Sequence, residues 1–395
     1  MASTDNGDAI ELRVLAALPT PPPYSGPETV AALLLRSGLG PGARLIHVRT
    51  NVQKSNASKG HVTGSSLARL AAAWVRALVA IARDRPHVLY LYLSQNWTGF
   101  LRDLIFIWTA RCARLAVVVQ IHGSNFSNFV LAASPFFRSL IRRSFRSIDD
   151  VVVLADRLKP QVAGLVPDDR VWVVPNAVST GTPWRPRPDR ATCTFFFMGH
   201  LSVAKGFADL LRAVPLVLEA EPDARFEFAG EWVVDDRNIH SDERQAPVGR
   251  HQRLAAECSD LCSRFGSRVR LLGLVSGAAK DEAFERADVF VLPSYSEGLP
   301  MAILEAMEAC LPLVVTPVGA LPEILTSNTH GVFVEPGDVN ALVSALLQLA
   351  RDTGLRGRMG VANARLVRER FTPACVSTAL RQCLEASVAR HQTQR

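Results

Sequence analysis

Two carboxylates lie eight residues apart in the segment YSEGLPMAILEAMEACLP, residues 295–312. Glu297 lies in a Ser-Glu-Gly turn, whereas Glu305 lies in a run that is otherwise almost entirely apolar. A helix is predicted from Pro300 to about residue 310, because proline is well tolerated at the first helical position. Apolar residues surround its axis on nearly all sides, which predicts a buried helix. An ionised Glu305 in such a helix needs hydrogen-bond donors or an opposite charge.

The chemistry that fits these groups is the binding of a phosphorylated ribonucleoside. The vicinal hydroxyls of a ribose would donate to the two oxygens of Glu305. Gly298 permits a close backbone approach, and the start of the helix, from Gly298 to Met301, can bind a phosphate. Glu297 would then face a sugar hydroxyl. The alternative is that Glu297 caps the helix and Glu305 pairs with an arginine in the core.

A lysine follows a very apolar strand in the segment FFFMGHLSVAKGFADLLRA, residues 195–213. The strand is expected to end at a turn around Gly199, and a helix is expected to begin near Lys205 and Gly206. Lys205 would then project from a strand-to-helix loop, where an anion is expected. Its ammonium group could neutralise a leaving diphosphate as charge develops there. The alternative is a solvated lysine on the surface.

The elements that must position these residues are short, continuous apolar runs with helical patterns between them. This arrangement is typical of parallel sheets that are covered on both faces. Strands are predicted at residues 12–19, 43–49, 88–94, 115–121, 150–154, 171–174, 192–198, 225–229, 268–272, 288–292, 312–316 and 331–334.

The chain is predicted to form two domains, because 395 residues exceed what one hydrophobic core usually organises. Proline, glycine and charge at residues 179–190 predict a linker. The predicted boundaries are an N-terminal α/β domain over residues 1–180, a C-terminal α/β domain over 190–370, and a helix over 371–395 that packs back towards the first domain. Ligands bind beyond the carboxyl ends of strands in such sheets, so the active site is expected in a cleft between the domains.

Composition restricts the partners. The formal net charge is +7, which favours a polyanion: nucleic acid, an anionic membrane or a phosphorylated substrate. Nucleic acid is disfavoured, because the basic residues are scattered and lack interleaved aromatics for stacking. Neither a signal peptide nor a membrane-spanning helix is predicted. Seven cysteines without a metal-binding spacing fit a reducing cytoplasm.

An ordered set of motifs resembles the retaining family 4 glycosyltransferases, which have the GT-B fold. The resemblance covers about residues 170–375 and, more weakly, the first domain. It implies an α/β architecture of two Rossmann-like domains that face each other across a central cleft. The motifs are Glu297-x7-Glu305, the Gly-His-Leu loop with Lys205-Gly206, Val174-Pro-Asn-Ala-Val178, Leu272-Gly-Leu-Val275 and Gly331-Val-Phe-Val-Glu-Pro-Gly-Asp338.

The resemblance also implies roles in binding the donor. Glu305 would hold the ribose hydroxyls, Glu297 would contact hydroxyls of the donor sugar, and Lys205 would bind the diphosphate. Further contacts to the donor are implied for Gly298, Leu299, Pro300 and Met301 around the diphosphate and sugar, and for Leu274 and Val275 along the base.

One position departs from the family pattern. His200 stands where the family usually has an arginine. Arginine gives a permanent bidentate contact to phosphate, whereas histidine gives at most one charge that titrates near neutrality. Turnover is therefore expected to fall as the pH rises through the pKa of His200.

The first domain offers two candidate site residues. Gly26, in the loop at residues 22–28, could let the backbone approach the diphosphate, as a Gly-rich loop does in the family; an ordinary turn is the alternative. His122 follows a predicted strand, at the edge where ligands bind. The resemblance implies that His122 contacts the donor sugar, and a purely structural histidine is the alternative.

A basic amphipathic helix is predicted at residues 135–146, PFFRSLIRRSFR. Phe137, Ile141 and Phe145 share a stripe at helical spacing, with arginines beside it. Such a helix could lie on an anionic membrane. The alternative is a helix that packs on the sheet and leaves a solvated basic edge.

The predicted function is the transfer of a hexosyl group from a nucleoside diphosphate sugar, with UDP favoured, to a hydroxyl acceptor. The acceptor would be a lipid-linked or polysaccharide-precursor glycan. The resemblance implies retention of the anomeric configuration, no required metal and a cytoplasmic enzyme that is peripheral on the inner membrane face. The alternatives are a non-catalytic nucleotide-sugar-binding protein and a nucleotide-sugar epimerase or hydrolase.

Overall fold

The computed structural model describes residues 11–22, 25–51, 64–181, 192–233 and 249–394. The predicted linker at 179–190 and the polar stretch after Val233 lie largely outside these residues. The chain divides into two compact units. Unit 1 is drawn from Met1–Leu154, Lys159–Asn176 and Pro373–Arg395, and unit 2 from Ala155–Leu158 and Ala177–Thr372.

Unit 1 is built on a six-stranded sheet in which every pair of neighbours is parallel. Its strands are β1 (Leu12–Leu18), β2 (Ala43–Arg49), β3 (Val88–Tyr92), β4 (Ala116–Gln120), β5 (Asp150–Val153) and β6 (Val171–Val173), in the spatial order β2-β1-β3-β4-β5-β6. The residues of β3, β4 and β5 are all buried. Continuous apolar strands therefore form the centre of this sheet, as expected where helices cover both faces.

The helices of unit 1 are α1 (Gly26–Ser37), α2 (Gly64–Asp84), α3 (Trp97–Cys112), α4 (Phe126–Leu131), α5 (Pro135–Phe145) and, from the end of the chain, α13 (Pro373–Thr393). Because β-α-β crossovers are right-handed, the reversal of strand order after β2 puts α1 on one face and α2, α3 and α5 on the other. Helix α13 packs against α1, β3 and β4.

Two adjacent aspartates attach α13 to the sheet of unit 1. Asp149 and Asp150, at the start of β5, are buried. Asp150 accepts hydrogen bonds from Ser387 and Arg390 of α13, and the Nδ1 atom of His391 lies 3.3 Å from Asp149 Oδ1. Buried carboxylates need such partners, so the last helix and the sheet stabilise each other's polar groups.

Unit 2 is built on a second parallel sheet of six strands. Its strands are β7 (Thr194–Met198), β8 (Arg225–Ala229), β9 (Val269–Gly273), β10 (Val289–Leu292), β11 (Leu313–Val315) and β12 (Gly331–Phe333), in the order β12-β11-β10-β7-β8-β9. Its helices are α6 (Phe207–Ala220), α7 (Arg250–Phe265), α8 (Ala278–Arg286), α9 (Met301–Glu308), α10 (Leu321–Ile324), α11 (Val339–Arg351) and α12 (Thr353–Arg370). Fully buried phenylalanines on β7, β8 and β10 form much of its core.

The predicted strands are confirmed. Each of the twelve predicted segments coincides with an observed strand, and the ends differ by no more than two residues. Two parallel sheets flanked by helices are two Rossmann-like domains, as predicted. The pattern succeeded because strands that are buried on both faces must be apolar at every position.

Candidate functional site

The order of the strands in unit 2 defines where a ligand binds. Successive strands run from β7 to β9 in one direction, and β10 then adds on the other side of β7. The switch point is therefore the pair β7 and β10, and ligands of open α/β sheets bind beyond the carboxyl ends of the strands at such a point. Lys205 follows β7 and Glu297 follows β10.

The turn that carries Lys205 is fixed against the segment after β10. Residues Val203–Lys205 form a short 3-10 turn, and α6 starts two residues after Lys205. The backbone N–H of Tyr295 donates to the carbonyl of Ala204 over 2.9 Å. Gly206 has φ +67°, and a Cβ there would lie 1.9 Å from the carbonyl oxygen of Pro293. Only glycine allows this approach, so Gly206 sets the distance between the two loops.

Lys205 and Glu297 form an ion pair at this point. The Nζ atom of Lys205 lies 2.7 Å from Oε1 of Glu297, and the Ser294 hydroxyl donates to the same oxygen over 2.7 Å. The carboxylate is almost completely buried, whereas the lysine side chain keeps 22% of its surface exposed. Oε2 of Glu297 accepts no hydrogen bond from any residue that the structure describes. One oxygen is thus held by the protein, while the other can accept from a ligand.

The turn at Glu297 is supported from the opposite side by the loop that follows β11. The Ala320 N–H donates to the Gly298 carbonyl over 2.9 Å. Gly319 has φ +59°, and a Cβ there would lie 2.0 Å from the carbonyl oxygen of Glu297. The sequence analysis did not identify Gly319, because the residues around it do not indicate that it contacts the loop at Glu297, more than twenty residues earlier.

Helix α9 differs slightly from the prediction. It runs from Met301 to Glu308, and Pro300 (φ −68°, ψ 131°) is its N-cap residue and not its first helical residue. The helix also ends before Cys310, which has φ +58°. The amides at the start of a helix have no intrahelical partner, so the residues from Gly298 to Met301 place partial positive charge beside Glu297.

Glu305 lies on α9 and pairs with a lysine. Nζ of Lys280, on the first turn of α8, donates to Oε1 of Glu305 over 2.7 Å. The Glu305 side chain is 14% exposed, so it is less buried than the surrounding apolar residues suggested. Burial raises the pKa of Glu305, and Lys280 lowers it in part. The partner is thus a half-exposed lysine and not the core arginine of the alternative interpretation. Nothing in the sequence pattern pointed to Lys280.

The other predicted donor-binding residues of unit 2 follow the same edge of the sheet. His200 lies directly after the Gly199 turn that ends β7, and the neighbouring Leu201 N–H donates to the Glu231 carbonyl. Gly230, beside this turn, would bring a Cβ within 1.7 Å of the Gly199 carbonyl oxygen. The last pair, Leu274 and Val275, follows β9, where Leu274 is 53% exposed.

His122, in unit 1, follows β4 as predicted. Its ring lies against Tyr92, with 4.0 Å between the ring centroids. Both ring nitrogens are buried, and neither has a hydrogen-bond partner of good geometry among the described residues. Burial lowers the pKa of His122 to about 3, although the nearby Asn176 side chain raises it in part. The imidazole is therefore neutral at physiological pH. It can donate or accept a hydrogen bond but carries no charge.

The depressed pKa of His122 predicts a measurable loss of stability in acid. As the pH falls below 6.5 the unfolded chain takes up a proton at His122, whereas the folded chain does not until about pH 3. Between pH 7 and pH 5 this difference should remove about 2 kcal/mol of folding free energy. We expect His122→Gln to lose correspondingly less over that range, measured as the shift of the urea midpoint. Equal shifts in both proteins would contradict the assignment.

Gly26 is the first residue of α1 and not part of an extended loop. Ser25 is the N-cap residue, and its hydroxyl donates a hydrogen bond to the carboxylate of Glu28. A Cβ at Gly26 would meet no described atom within 4 Å, so packing does not demand glycine there. Whether Gly26 approaches a diphosphate therefore stays a prediction.

The basic amphipathic helix is confirmed as α5, but its apolar stripe does not face outwards. Ile141 and Phe145 are buried, and Phe137 packs on Trp97 with 4.4 Å between centroids. The stripe is thus part of the core of unit 1, as the alternative interpretation held. The arginines at 142, 143 and 146 remain exposed.

Known proteins that are similar to this chain include glycosyltransferases. Residues 192–352 match the family model described as Glycosyl transferases group 1. The chain is 26% identical over 268 residues to phosphatidyl-myo-inositol mannosyltransferase of Mycobacterium leprae, which covers 66% of this chain and 65% of that protein. The chain spans between about a third and two thirds of the length of the curated relatives it matches.

Two solved structures show the same fold over nearly the whole chain. Sucrose-phosphate synthase from Thermosynechococcus elongatus superposes with a TM-score of 0.69 at 14% identity, covering 96% of this chain and 99% of that one. The HepE protein of Anabaena, solved with UDP and glucose, superposes with a TM-score of 0.66 at 13% identity, covering 95% and 100%. At such low identity the likeness concerns the fold.

Proposed function

We propose that this chain is a family 4-like glycosyltransferase of the GT-B fold, and that it transfers a hexosyl group from a nucleoside diphosphate sugar to a hydroxyl acceptor. The match of residues 192–352 to the group 1 model and the likeness to a mannosyltransferase support this proposal. The observation that carries this proposal is the pair Lys205–Glu297 at the switch point of unit 2. A cation for a diphosphate and a carboxylate for sugar hydroxyls lie there within one hydrogen bond of each other.

The chain's own residues supply the electrostatics that such a transfer needs. When the bond between the anomeric carbon and the diphosphate oxygen breaks, negative charge develops on the leaving group. Lys205 and the start of α9 would stabilise that charge in a fixed position, without reorganisation during the reaction. Because Lys205 would supply the positive charge beside the leaving diphosphate, we propose that the reaction requires no metal cofactor. Attack by the acceptor hydroxyl on the same sugar face, with its proton passing to the departing diphosphate oxygen, would give retention.

The donor is proposed to be a UDP-sugar. The Anabaena structure of the same fold was solved with UDP and glucose, which supports uridine as the base. Glu305 would accept from the ribose hydroxyls, and the partly exposed Leu274 and Val275 after β9 would pack along the base. The bound UDP would then lie along the edge of the sheet from β9 to the loop after β10.

The acceptor is proposed to be a lipid-linked or polysaccharide-precursor glycan, reached at the inner face of a membrane by a peripheral, cytoplasmic enzyme. One relative is named phosphatidyl-myo-inositol mannosyltransferase, and phosphatidyl-myo-inositol is a phospholipid. Unit 1 carries a surface that suits this role, formed by α2 and α3, and we call it the α2–α3 face. Its exposed large apolar residues are Leu67, Trp74, Val75, Leu78 and Val79 on α2 and Leu101, Ile105 and Trp108 on α3.

The charges around the α2–α3 face match an anionic lipid surface. The exposed charged residues of α2 are Arg69, Arg76 and Arg83. The described residues of α2 and α3 expose no acidic side chain, because Asp84 is half-buried and Asp103 is buried. Apolar residues flanked by arginines are typical of helices that lie in a membrane interface. Helix α2 is also the one described helix with the length and composition to span a bilayer. Its alanines at 73, 77 and 80 are buried in unit 1, which favours a helix that lies along the surface.

Vesicle binding tests this surface. We expect the protein to co-sediment at low salt with anionic vesicles but not with neutral ones. Val75→Asp with Val79→Asp should reduce recovery several-fold, because two charges would enter the apolar interface. Leu216→Asp, at an exposed leucine of α6 in unit 2, is the matched control and should not change recovery. Equal recovery with both kinds of vesicle, or with neither, would count against membrane docking.

The reaction itself is tested with a panel of nucleotide sugars. A transferase releases nucleoside diphosphate at a rate that depends on an added acceptor. An epimerase or hydrolase would consume the donor without any acceptor, and a non-catalytic binding protein would bind the donor and never release nucleoside diphosphate. Either of the latter two results would replace the proposed function.

A further inference from the structure

Lys280 and Glu305 form an ion pair that links two helices at the nucleotide edge of unit 2. The Nζ to Oε1 distance is 2.7 Å, and the side chains are 26% and 14% exposed. Oε2 of Glu305 accepts no hydrogen bond from any described residue. The lysine therefore engages one carboxylate oxygen and leaves the second available to a ligand.

The packing of α8 on the sheet determines where the backbone of Lys280 lies. Phe284, on the same helix, packs edge-on against Phe196 of β7, with 5.2 Å between centroids, and also contacts Phe290 of β10. The first turn of α8 is closed by the Lys280 N–H, which donates to the Gly277 carbonyl over 3.0 Å. The core of the sheet thus fixes α8 through Phe284, one helical turn after Lys280, and with it the backbone from which the lysine side chain extends.

The charge on Glu305 depends on this lysine. Burial raises the pKa of Glu305, Lys280 lowers it through its charge and hydrogen bond, and Asp281 raises it by repulsion. Lys280 is the cation in direct contact, since no other described basic group forms an ion pair with Glu305. A carboxylic acid accepts fewer hydrogen bonds than a carboxylate, so protonation would weaken a hold on two ribose hydroxyls.

We propose that Lys280 is a positioning residue for the nucleotide site: it fixes Oε1 of Glu305 so that an ionised carboxylate presents its free oxygen to the ribose of the donor. This inference rests on the proposed function, since it assumes that Glu305 meets a nucleotide. Lys280 acts through Glu305 and does not itself contact the reacting atoms.

The sign of the pH effect follows from the ion pair. Without Lys280 the pKa of Glu305 rises further, because burial and Asp281 are no longer opposed. UDP affinity should then fall as the pH is lowered, by up to about tenfold for each pH unit below the new pKa. In the unaltered protein the same fall should begin at a lower pH.

The experiment is UDP titration calorimetry between pH 5.5 and 8 with the unaltered chain, Lys280→Met, Lys280→Arg, Glu305→Gln and Lys280→Met with Glu305→Gln. We expect Lys280→Met to bind UDP more weakly at low pH, and Lys280→Arg to restore most of the affinity. In the Glu305→Gln background, where position 305 cannot titrate, Lys280→Met should have no further effect. A Lys280→Met profile parallel to that of the unaltered protein, or an undiminished loss in the Glu305→Gln background, would overturn the proposal; the latter would indicate direct contact between Lys280 and UDP.

A second measurement is independent of the nucleotide. With carbon-13 in the glutamate carboxyl groups, NMR titration of the chain without ligand should show a higher pKa at Glu305 in Lys280→Met than in the unaltered protein. An unchanged pKa would overturn the role of Lys280. If the unaltered protein does not bind UDP at all, the proposal of a UDP-sugar donor is wrong. The NMR titration still tests whether Lys280 lowers the pKa of Glu305.

Discussion

Lys205→Met is expected to lower kcat for transfer by roughly 10²–10³-fold, because one fixed charge beside the leaving diphosphate would be lost. The ammonium lies 2.7 Å from Glu297 and keeps a fifth of its side chain exposed, so it can meet a ligand on that side. The measurement is nucleoside diphosphate release with saturating donor and acceptor. The affinity for UDP should also fall, but by less than kcat, since the charge on the leaving group develops during the reaction.

The simplest competing explanation is that Lys205 only neutralises the buried Glu297. The double variant Lys205→Met with Glu297→Gln distinguishes the two, because it removes the cation and the charge that needed it. Because Glu297 is itself proposed to contact the donor sugar, the reference for the double variant is Glu297→Gln alone. If neutralisation were the only role of Lys205, the double variant would be as active as Glu297→Gln. We expect the double variant to be far less active than Glu297→Gln. A thermal melt of each variant shows whether the remaining hydrogen bond from Ser294 still holds the turn.

Glu305→Ala is expected to weaken UDP binding by about 5- to 150-fold, which corresponds to roughly 1–3 kcal/mol for the loss of two hydrogen bonds to ribose hydroxyls. The reason is the free Oε2 on a carboxylate whose other oxygen is already held by Lys280. Titration calorimetry with UDP measures the change. A 2′-deoxy nucleotide should bind the unaltered protein more weakly than UDP and should bind Glu305→Ala with nearly the same affinity as UDP.

The matched control for this substitution is Glu257→Ala. Glu257 is an exposed glutamate on α7, also in unit 2. Its removal should leave UDP affinity and the melting temperature unchanged within error. Unchanged UDP binding by a folded Glu305→Ala protein would contradict the ribose role of Glu305, and with it the order in which the nucleotide lies along the sheet.

The prediction of the fold succeeded at the level of strands and of domain type. Strands that helices cover on both faces must be apolar throughout, so β3, β4, β7 and β10 are visible as uninterrupted runs. Helix boundaries were less exact, as at Pro300, because a proline is compatible with both the N-cap and the first helical position. The sequence also could not show what the apolar stripe of α5 packs against, since an amphipathic helix has the same pattern whether it packs on a sheet or on a membrane.

Local patterns in the sequence are sufficient to predict the two parallel sheets, the loops after β7 and β10, and the residue types that those loops carry. They do not show which side chains meet in the folded chain: Lys205 with Glu297 from a loop some ninety residues later, Lys280 with Glu305, and Gly319 beneath the Glu297 turn. Periodicity reports only how a residue relates to its own helix or strand. Contacts between separate loops depend on strand order, which reverses at β7 and β10 and leaves no mark in the local pattern.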